Sequence, residues 1–224
     1  MNGGPALPQI YERLLAHFGS QHWWPGDTPF EVMVGAVLTQ NTAWTNVEKA
    51  ILRLRERGLL DASAMLAAPI EILAESIRPA GYYNVKARRL HALCAFLAEQ
   101  GALSDPYRLR TAADIPTLRQ QLLAVHGIGE ETADSILLYA LDLPSFVVDA
   151  YTRRIFTRLG VFTGNESYAA IQARFRDQMP EDLACYNEYH ALIVMLGKSI
   201  CRPGPRCTLC PLRETCGHAD RVSD

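Results

Sequence analysis

The sequence predicts an all-α protein, on three observations. Apolar residues recur at three- and four-residue spacing in run after run. No segment alternates apolar and polar residues as a half-buried strand would. Gly127-Ile128-Gly129 separates two of the helical runs, the pattern of a helix-hairpin-helix. The 224 residues are 49% hydrophobic and 21% charged, which allows a real core in one large or two small domains. Roughly ten helices of ordinary length account for the chain.

Taken in order, residues 8–18 place Ile10, Leu14, Leu15 and Phe18 on one helical face. A turn-rich aromatic stretch follows, in which Trp23 and Trp24 read as caps on a core in preference to a base-stacking platform. Residues 30–38 form a buried helix that runs into a polar break, Thr39-Gln40-Asn41-Thr42. Thr45 and Glu48 have capping-box spacing and start the next helix, to about Arg57. Gln40 and Asn41 therefore sit on a loop between helices. There they either satisfy loop backbone groups or are free to enter a groove. Residues 69–77 are a short helix and 78–84 a second turn. Asn84 is expected to cap a helix over 85–100, with Leu90, Leu93, Cys94 and Leu97 on one stripe. Residues 78–119 hold seven Lys/Arg against three acids, a modest basic surface suited to phosphates or a solvated face.

The hairpin helices are expected at 117–125 and 130–141. Between them, His126, Gly127, Ile128 and Gly129 form a turn able to hold a phosphate. Its glycines allow positive φ and leave N–H groups bare, and the following helix start adds partial positive charge. Residues 120–150 contain five acids and no Lys or Arg, which weakens the site without removing it, because such contacts are main-chain. Asp149 then opens a helix to about Leu159 that carries Arg153, Arg154 and Arg158, and it suits the N-cap of that helix. Residues 167–178 and 183–200 are the last two helices, the second carrying Tyr189, His190 and Lys198.

A net charge of −2 excludes a polycation, so any nucleic-acid site must come from local asymmetry. The first residues show neither the basic nor the apolar region of a signal peptide, and the most apolar stretch, 30–38, is too short to span a bilayer. A cytoplasmic location without membrane contact is expected. In a reducing compartment, clustered cysteines point to metal before disulfide. Cys201, Cys207, Cys210 and Cys216 lie within sixteen residues as Cys-x5-Cys-x2-Cys-x5-Cys, a set that suits zinc or a [4Fe–4S] cluster. Zinc ribbons usually pair two Cys-x2-Cys units and only one is present, which favours iron–sulfur. Arg202 and Arg206 lie inside the first ligand loop, where a rigid cluster would make of them a phosphate clamp. Cys94 and Cys185 are expected to be small core residues.

The hairpin, Asp149 and the four-cysteine run, in that order, resemble the endonuclease III family of helix-hairpin-helix DNA glycosylases, over nearly the whole chain from about Phe30 to Cys216. Leu38-Thr39-Gln40-Asn41 is similar to the family loop whose Gln fills the space left by the flipped base. Gly81-Tyr82-Tyr83-Asn84-Val85-Lys86-Ala87 is similar to its second wedge loop, with Tyr82 at the intercalating position. The resemblance implies two helical domains flanking a DNA-binding cleft. One is a six-helix barrel with the hairpin over 28–137, and the other a cluster domain from 1–27 and 138–224. It implies double-stranded DNA with a damaged base as partner, a nucleoid-associated monomer, and Asp149 as the carboxylate that stabilises an oxocarbenium-like sugar or activates water.

Three departures refine that expectation. Bifunctional members carry a Lys in the second hairpin helix as Schiff-base nucleophile, but Glu131 stands there, eighteen residues before Asp149. The first cysteine interval is one residue shorter than the family's. Val147-Val148-Asp149-Ala150-Tyr151, Tyr189-His190 and Lys198 look more like the branch that removes alkylated purines such as 3-methyladenine. Lys198 matches a pocket lysine of that branch, with a solvated or cluster-adjacent cation as the plainer alternative. The expected function is therefore a monofunctional glycosylase on alkylated purines, with Trp23, Trp24, Trp44 or Tyr151 stacking on an electron-poor base. The alternatives are a bifunctional glycosylase/AP lyase for oxidised pyrimidines, using another amine, and a damaged-DNA-binding protein without catalysis.

Overall fold

The computed structural model describes residues 4–23 and 26–219; Trp24 lies outside them. The chain divides into two units, Trp24–Ser145, and Met1–Trp23 together with Phe146–Asp224. Among the described residues all regular structure is helical.

The first unit contains α2 (Pro29–Leu38), α3 (Trp44–Glu56), α4 (Ala62–Ala67), α5 (Ile70–Ser76), α6 (Tyr83–Glu99), α7 (Leu109–Ala112), α8 (Ile115–Ala124) and α9 (Glu130–Ser135). α2 is the apolar centre, with Phe30, Val32, Met33, Val34, Val37 and Leu38 all buried. Thr28 caps it by accepting from the Glu31 N–H at 3.1 Å, and Pro29 sits where a missing N–H costs nothing. The long helix α6 lies against α4 and α5 and buries Leu90, Leu93, Cys94 and Leu97, the stripe its spacing predicts.

Two helix starts differ from the expected ones. α3 begins at Trp44 behind Ala43, with no side-chain cap, so Thr45 is already inside the helix. The hydroxyl of the preceding Thr42 is engaged elsewhere, donating to the Ala80 carbonyl at 2.5 Å. α6 begins at Tyr83 behind Tyr82, and Asn84 does not cap it; left-handed residues at Gly81 (φ 67°) and Tyr82 (φ 46°) turn the chain into the helix instead. The run after α9 continues as a π-helical turn, Ile136–Ala140, that packs on α2. Leu143 N–H bonds Leu137 O at 2.9 Å and Ser145 Oγ bonds the buried Asp134 at 2.6 Å. Residues 138–145 therefore stay with the hairpin, and the unit ends at Ser145 rather than at 137.

The second unit contains α1 (Leu7–Phe18), α10 (Ala150–Arg158), α11 (Tyr168–Gln178) and α12 (Leu183–Ser199), followed by two 3₁₀ turns, Cys207–Leu209 and Arg213–Thr215. α12 packs against both α1 and α10. Phe146, Phe156, Phe175, Tyr186 and Tyr189 form an aromatic core, with Phe146 and Phe175 stacked at 3.8 Å. The Tyr189 hydroxyl donates to the Leu7 carbonyl at 2.8 Å, tying the amino-terminal helix to this unit.

Candidate functional site

The hairpin turn runs from Val125 to Gly129, between α8 and α9. Ile128 is buried and pins it, while His126 and Gly129 are exposed. Gly127 has φ +83°, and a Cβ there would lie 2.3 Å from Cγ of Arg89. The backbone angle disfavours any side chain there, and Arg89 would have to shift to make room for one. The acidity of this segment has a local answer. Arg119, one residue before the acid-rich stretch, forms a two-pronged pair with the buried Asp134 at 2.8 and 2.9 Å and lies 3.7 Å from Glu130. Arg110 lies 3.4 Å from Asp142. Arg89, from α6, puts a guanidinium directly behind the turn, and its Nε has no hydrogen-bond partner among the described residues. Glu131 is exposed in the first turn of α9, where the helix dipole favours a carboxylate.

Gln40 belongs to the same constellation. Its amide N–H₂ donates to the Gly127 carbonyl at 3.1 Å and to Thr132 Oγ1 at 3.0 Å, and its Oε1 accepts from Arg89. The Gln is thus docked on the hairpin. Asn41 beside it is exposed with φ 52°. Tyr82, on the second loop, is 74% exposed and left-handed, a conformation costly for an aromatic residue. Lys86 bridges the two loops, donating to the Leu38 and Ala80 carbonyls.

Asp149 occupies the N-cap of α10, as its position predicts. Its Oδ1 accepts from the Thr152 N–H at 2.7 Å and from Thr152 Oγ1 at 2.9 Å. Its Oδ2 lies 3.6 Å from Nε2 of His190 on α12. Both residues are nearly enclosed, at 8% and 7% exposure. Burial pulls the Asp149 pKa upward, but His190 and the two Thr152 bonds outweigh it, so the group sits below the ordinary carboxylate value. One oxygen of the carboxylate is spent on the cap while the other is aimed at an imidazole.

Around Asp149 the same helix organises its surroundings. The Tyr151 ring lies so close to Gly197 of α12 that a Cβ there would sit 2.3 Å from Tyr151 Cδ1. Arg154 covers the Tyr151 ring at 5.1 Å and donates to the Gly197 and Cys201 carbonyls at 3.1 and 2.9 Å. Lys198 Nζ stands 5.4 Å from the Trp23 ring centroid. Two of the four aromatics expected to stack on a base, Trp23 and Tyr151, therefore already carry a cation on one face. Trp44 packs over Gly35 of α2.

Cys201, Cys207, Cys210 and Cys216 line one small cavity, with Ile200, Pro205 and Ala219 among its apolar walls. Among the described residues no three His, Cys, Asp or Glu side chains converge closely enough for a single ion. The four thiols line a shared space, a donor set that suits a [4Fe–4S] cluster or zinc. Burial pushes the Cys210 thiol up to about 11, so a positive group is needed to hold it as thiolate. Arg158 donates to Cys201 Sγ at 3.3 Å and to the Arg202 and Pro203 carbonyls at 2.7 and 3.1 Å. Arg202 and Arg206 are both exposed on this loop. Cys94 is buried in the core of the other unit and Cys185 is partly buried.

The model of the HhH-GPD superfamily of base excision DNA repair proteins matches residues 34–181. The chain belongs to that superfamily. A protein of Methanocaldococcus jannaschii, provisionally named a DNA repair glycosylase, is 49% identical over 208 residues, covering 93% of this chain and 94% of its own. Endonuclease III of Thermotoga maritima is 29% identical, over 94% and 92% of the two chains. Among solved structures, a non-covalent endonuclease III–DNA complex superposes with a TM-score of 0.83 at 25% identity, over 96% and 95% of the chains. The H. pylori 3-methyladenine DNA glycosylase bound to 1,N6-ethenoadenine gives 0.75 at 29%, over 85% and 96%. The chain is thus a helix-hairpin-helix base excision repair glycosylase in family and fold. No helix among its described residues is long and apolar enough to cross a membrane.

Sequence reasoning passed over three groups that the fold brings to these sites. Arg89 lies about 40 residues from the hairpin it backs. Arg119 closes the basic run over 78–119, and nothing in the sequence pairs it with Asp134. His190 carried a family likeness but no signal that it would face Asp149.

Proposed function

We propose that the protein is a monofunctional DNA glycosylase that removes alkylated purines from double-stranded DNA, with Asp149 as its catalytic carboxylate. The observation that carries this reading is the state of Asp149: nearly enclosed, yet held ionised by His190 and Thr152 with one oxygen not used by the helix cap. A fixed negative charge of this kind stabilises the positive charge that develops on the sugar as the N-glycosidic bond lengthens. The bond's electron pair leaves with the base, and water supplies the new C1′–O bond while its proton passes to a carboxylate. A cationic alkylpurine leaves as a neutral base, so little further acid catalysis is needed. Likeness to the 3-methyladenine glycosylase supports the substrate class.

In this reading the turn from His126 to Gly129, backed by Arg89, anchors a phosphate, while Gln40, Asn41 and Tyr82 fill the duplex around the extruded nucleotide. Arg202 and Arg206 add phosphate contacts. Cys201, Cys207, Cys210 and Cys216 would hold a [4Fe–4S] cluster whose contribution is to order the loop that carries these arginines; zinc is the alternative occupant. A yellow-brown preparation supports the cluster, and a colourless, zinc-containing one overturns it.

Lyase chemistry needs a deprotonatable amine. The chain has only three lysines, and Glu131 stands at the family position. Lys86 is buried with three acceptors, and Lys49 and Lys198 are exposed. A bifunctional enzyme would therefore have to recruit an exposed lysine, and Lys198, beside Trp23, is the one in the unit that carries Asp149. Incubation with duplexes carrying alkylated, oxidised or deaminated bases, with borohydride added, tests both readings. Release of alkylated purines without a covalent adduct is expected. An adduct abolished by Lys198→Met replaces the reading with the bifunctional one, and no base release from any duplex leaves a binding protein.

A further inference from the structure

Among the described residues Lys86 is the one buried Lys or Arg, and neither the anchor nor the catalytic carboxylate employs it. Its side chain is 1% exposed. Its Nζ donates to the Leu38 carbonyl at 2.8 Å, the Ala80 carbonyl at 2.9 Å and Thr42 Oγ1 at 2.6 Å. Three donors of an ammonium meet three acceptors. Leu38 is the last residue of α2, and Ala80 the last of the 3₁₀ turn Arg78–Ala80. Both carbonyls belong to helix ends, where acceptors are left over and the backbone is partially negative. Thr42 closes the cluster by donating to Ala80 O.

Just beyond these carbonyls lie the two loops, with Gln40 and the left-handed, exposed Asn41 on one side and the left-handed Gly81 and Tyr82 on the other. Enclosing an ammonium costs several kcal/mol unless its bonds are complete, and an apolar side chain of similar length would fill the same space more cheaply. What an apolar side chain cannot do is hold two helix ends at a fixed separation. The structure assigns Lys86 as a positioning residue: it clasps the Gln40–Asn41 loop to the Gly81–Tyr82 loop so that both enter a duplex as one rigid wedge. This rests on the proposed role of those loops at DNA.

The test uses the full-length protein and a duplex with an abasic-site analogue opposite 2-aminopurine, whose fluorescence rises when the base is unstacked. Wild type is expected to raise the signal. Lys86→Met is expected to keep its helical content but to bind this duplex about ten- to a hundredfold more weakly, without the rise. A second measurement needs no variant. Burial, with a lesser effect of the Arg89 charge, lowers the Lys86 pKa to about 8. Facing it are Leu38 O, Ala80 O and the Thr42 hydroxyl, none of which titrates near that value, and Arg89 on its own helix. The wild-type signal should therefore fall between pH 7 and 9, and that of Lys86→Met should not change. A full rise with Lys86→Met, or a wild-type signal equal at pH 7 and 9, overturns the inference alone. No rise with wild type on any duplex overturns the wedge role and this inference with it.

Discussion

Gly127 and Asp149 show how much of the site rests on single atoms. At Gly127, a left-handed φ and the Arg89 side chain both disfavour a Cβ. Gly127→Ala is expected to destabilise the unit by about 1–2 kcal/mol from the backbone alone, more if Arg89 cannot move, and to weaken duplex binding; denaturant titration and fluorescence anisotropy check the two effects. At Asp149, Asp149→Asn should keep the cap partly and lower the single-turnover rate by about 10²–10³-fold. Wild-type activity at the same rate would remove Asp149 from the chemistry. Its ionisation depends on His190 and Thr152 against the pull of burial. The folded pKa lies below the unfolded one, so the charged form stabilises the fold at neutral pH, and that contribution is lost as pH falls through the folded value. In His190→Phe, burial is opposed only by Thr152. The acid limb of the rate profile should then move to higher pH, and a limb left in place would show that His190 does not set it.

The helices act as carriers that bring distant residues to one place. α6 supplies both Lys86 and Arg89, three residues apart and on neighbouring positions of one face. α10 supplies Asp149 at its cap, then Tyr151, Arg154 and Arg158 along its length, so the carboxylate and the grip on the cysteine loop share one rigid element. α8 and α9 are joined by the Arg119–Asp134 pair, whose carboxylate is fully buried and also accepts from Ser145. Arg119→Ala leaves that carboxylate unpaired and should destabilise this unit by about 3–5 kcal/mol in denaturant titration. Replacing both partners with apolar residues should cost much less. These partners were hard to find from sequence because helical periodicity reports which residues share a face, not which face of another helix they meet. The expected caps at Thr45 and Asn84 illustrate a second limit: local capping patterns lost to tertiary bonds made by Thr42 and to the turn at Gly81–Tyr82.

At the scale of the whole molecule, the described part of the carboxy-terminal loop after Ile200 has only short 3₁₀ turns and few buried apolar residues, Cys207, Leu212 and Ala219. Such a segment needs an external tie. Cys207→Ser is expected to give a colourless protein cleaved rapidly by protease beyond residue 200. The unit from Trp24 to Ser145, which contains none of the four cysteines, should keep its own unfolding transition. Equal protease resistance with and without the chromophore would count against a structural cluster.

The sequence by itself determined the all-helical fold, the hairpin, the cap position of Asp149 and the grouping of four cysteines. Each is written in residues close together in the chain: periodicity, a Gly-x-Gly turn, a carboxylate before a helix, thiols within sixteen positions. Only the tertiary structure decided that Gln40 rests on the hairpin, that Arg89 stands behind Gly127, that His190 faces Asp149 and that Lys86 joins two loops. Those contacts depend on how helices pack across separations of tens of residues, and the charge that each site carries is set by what packing brings beside it.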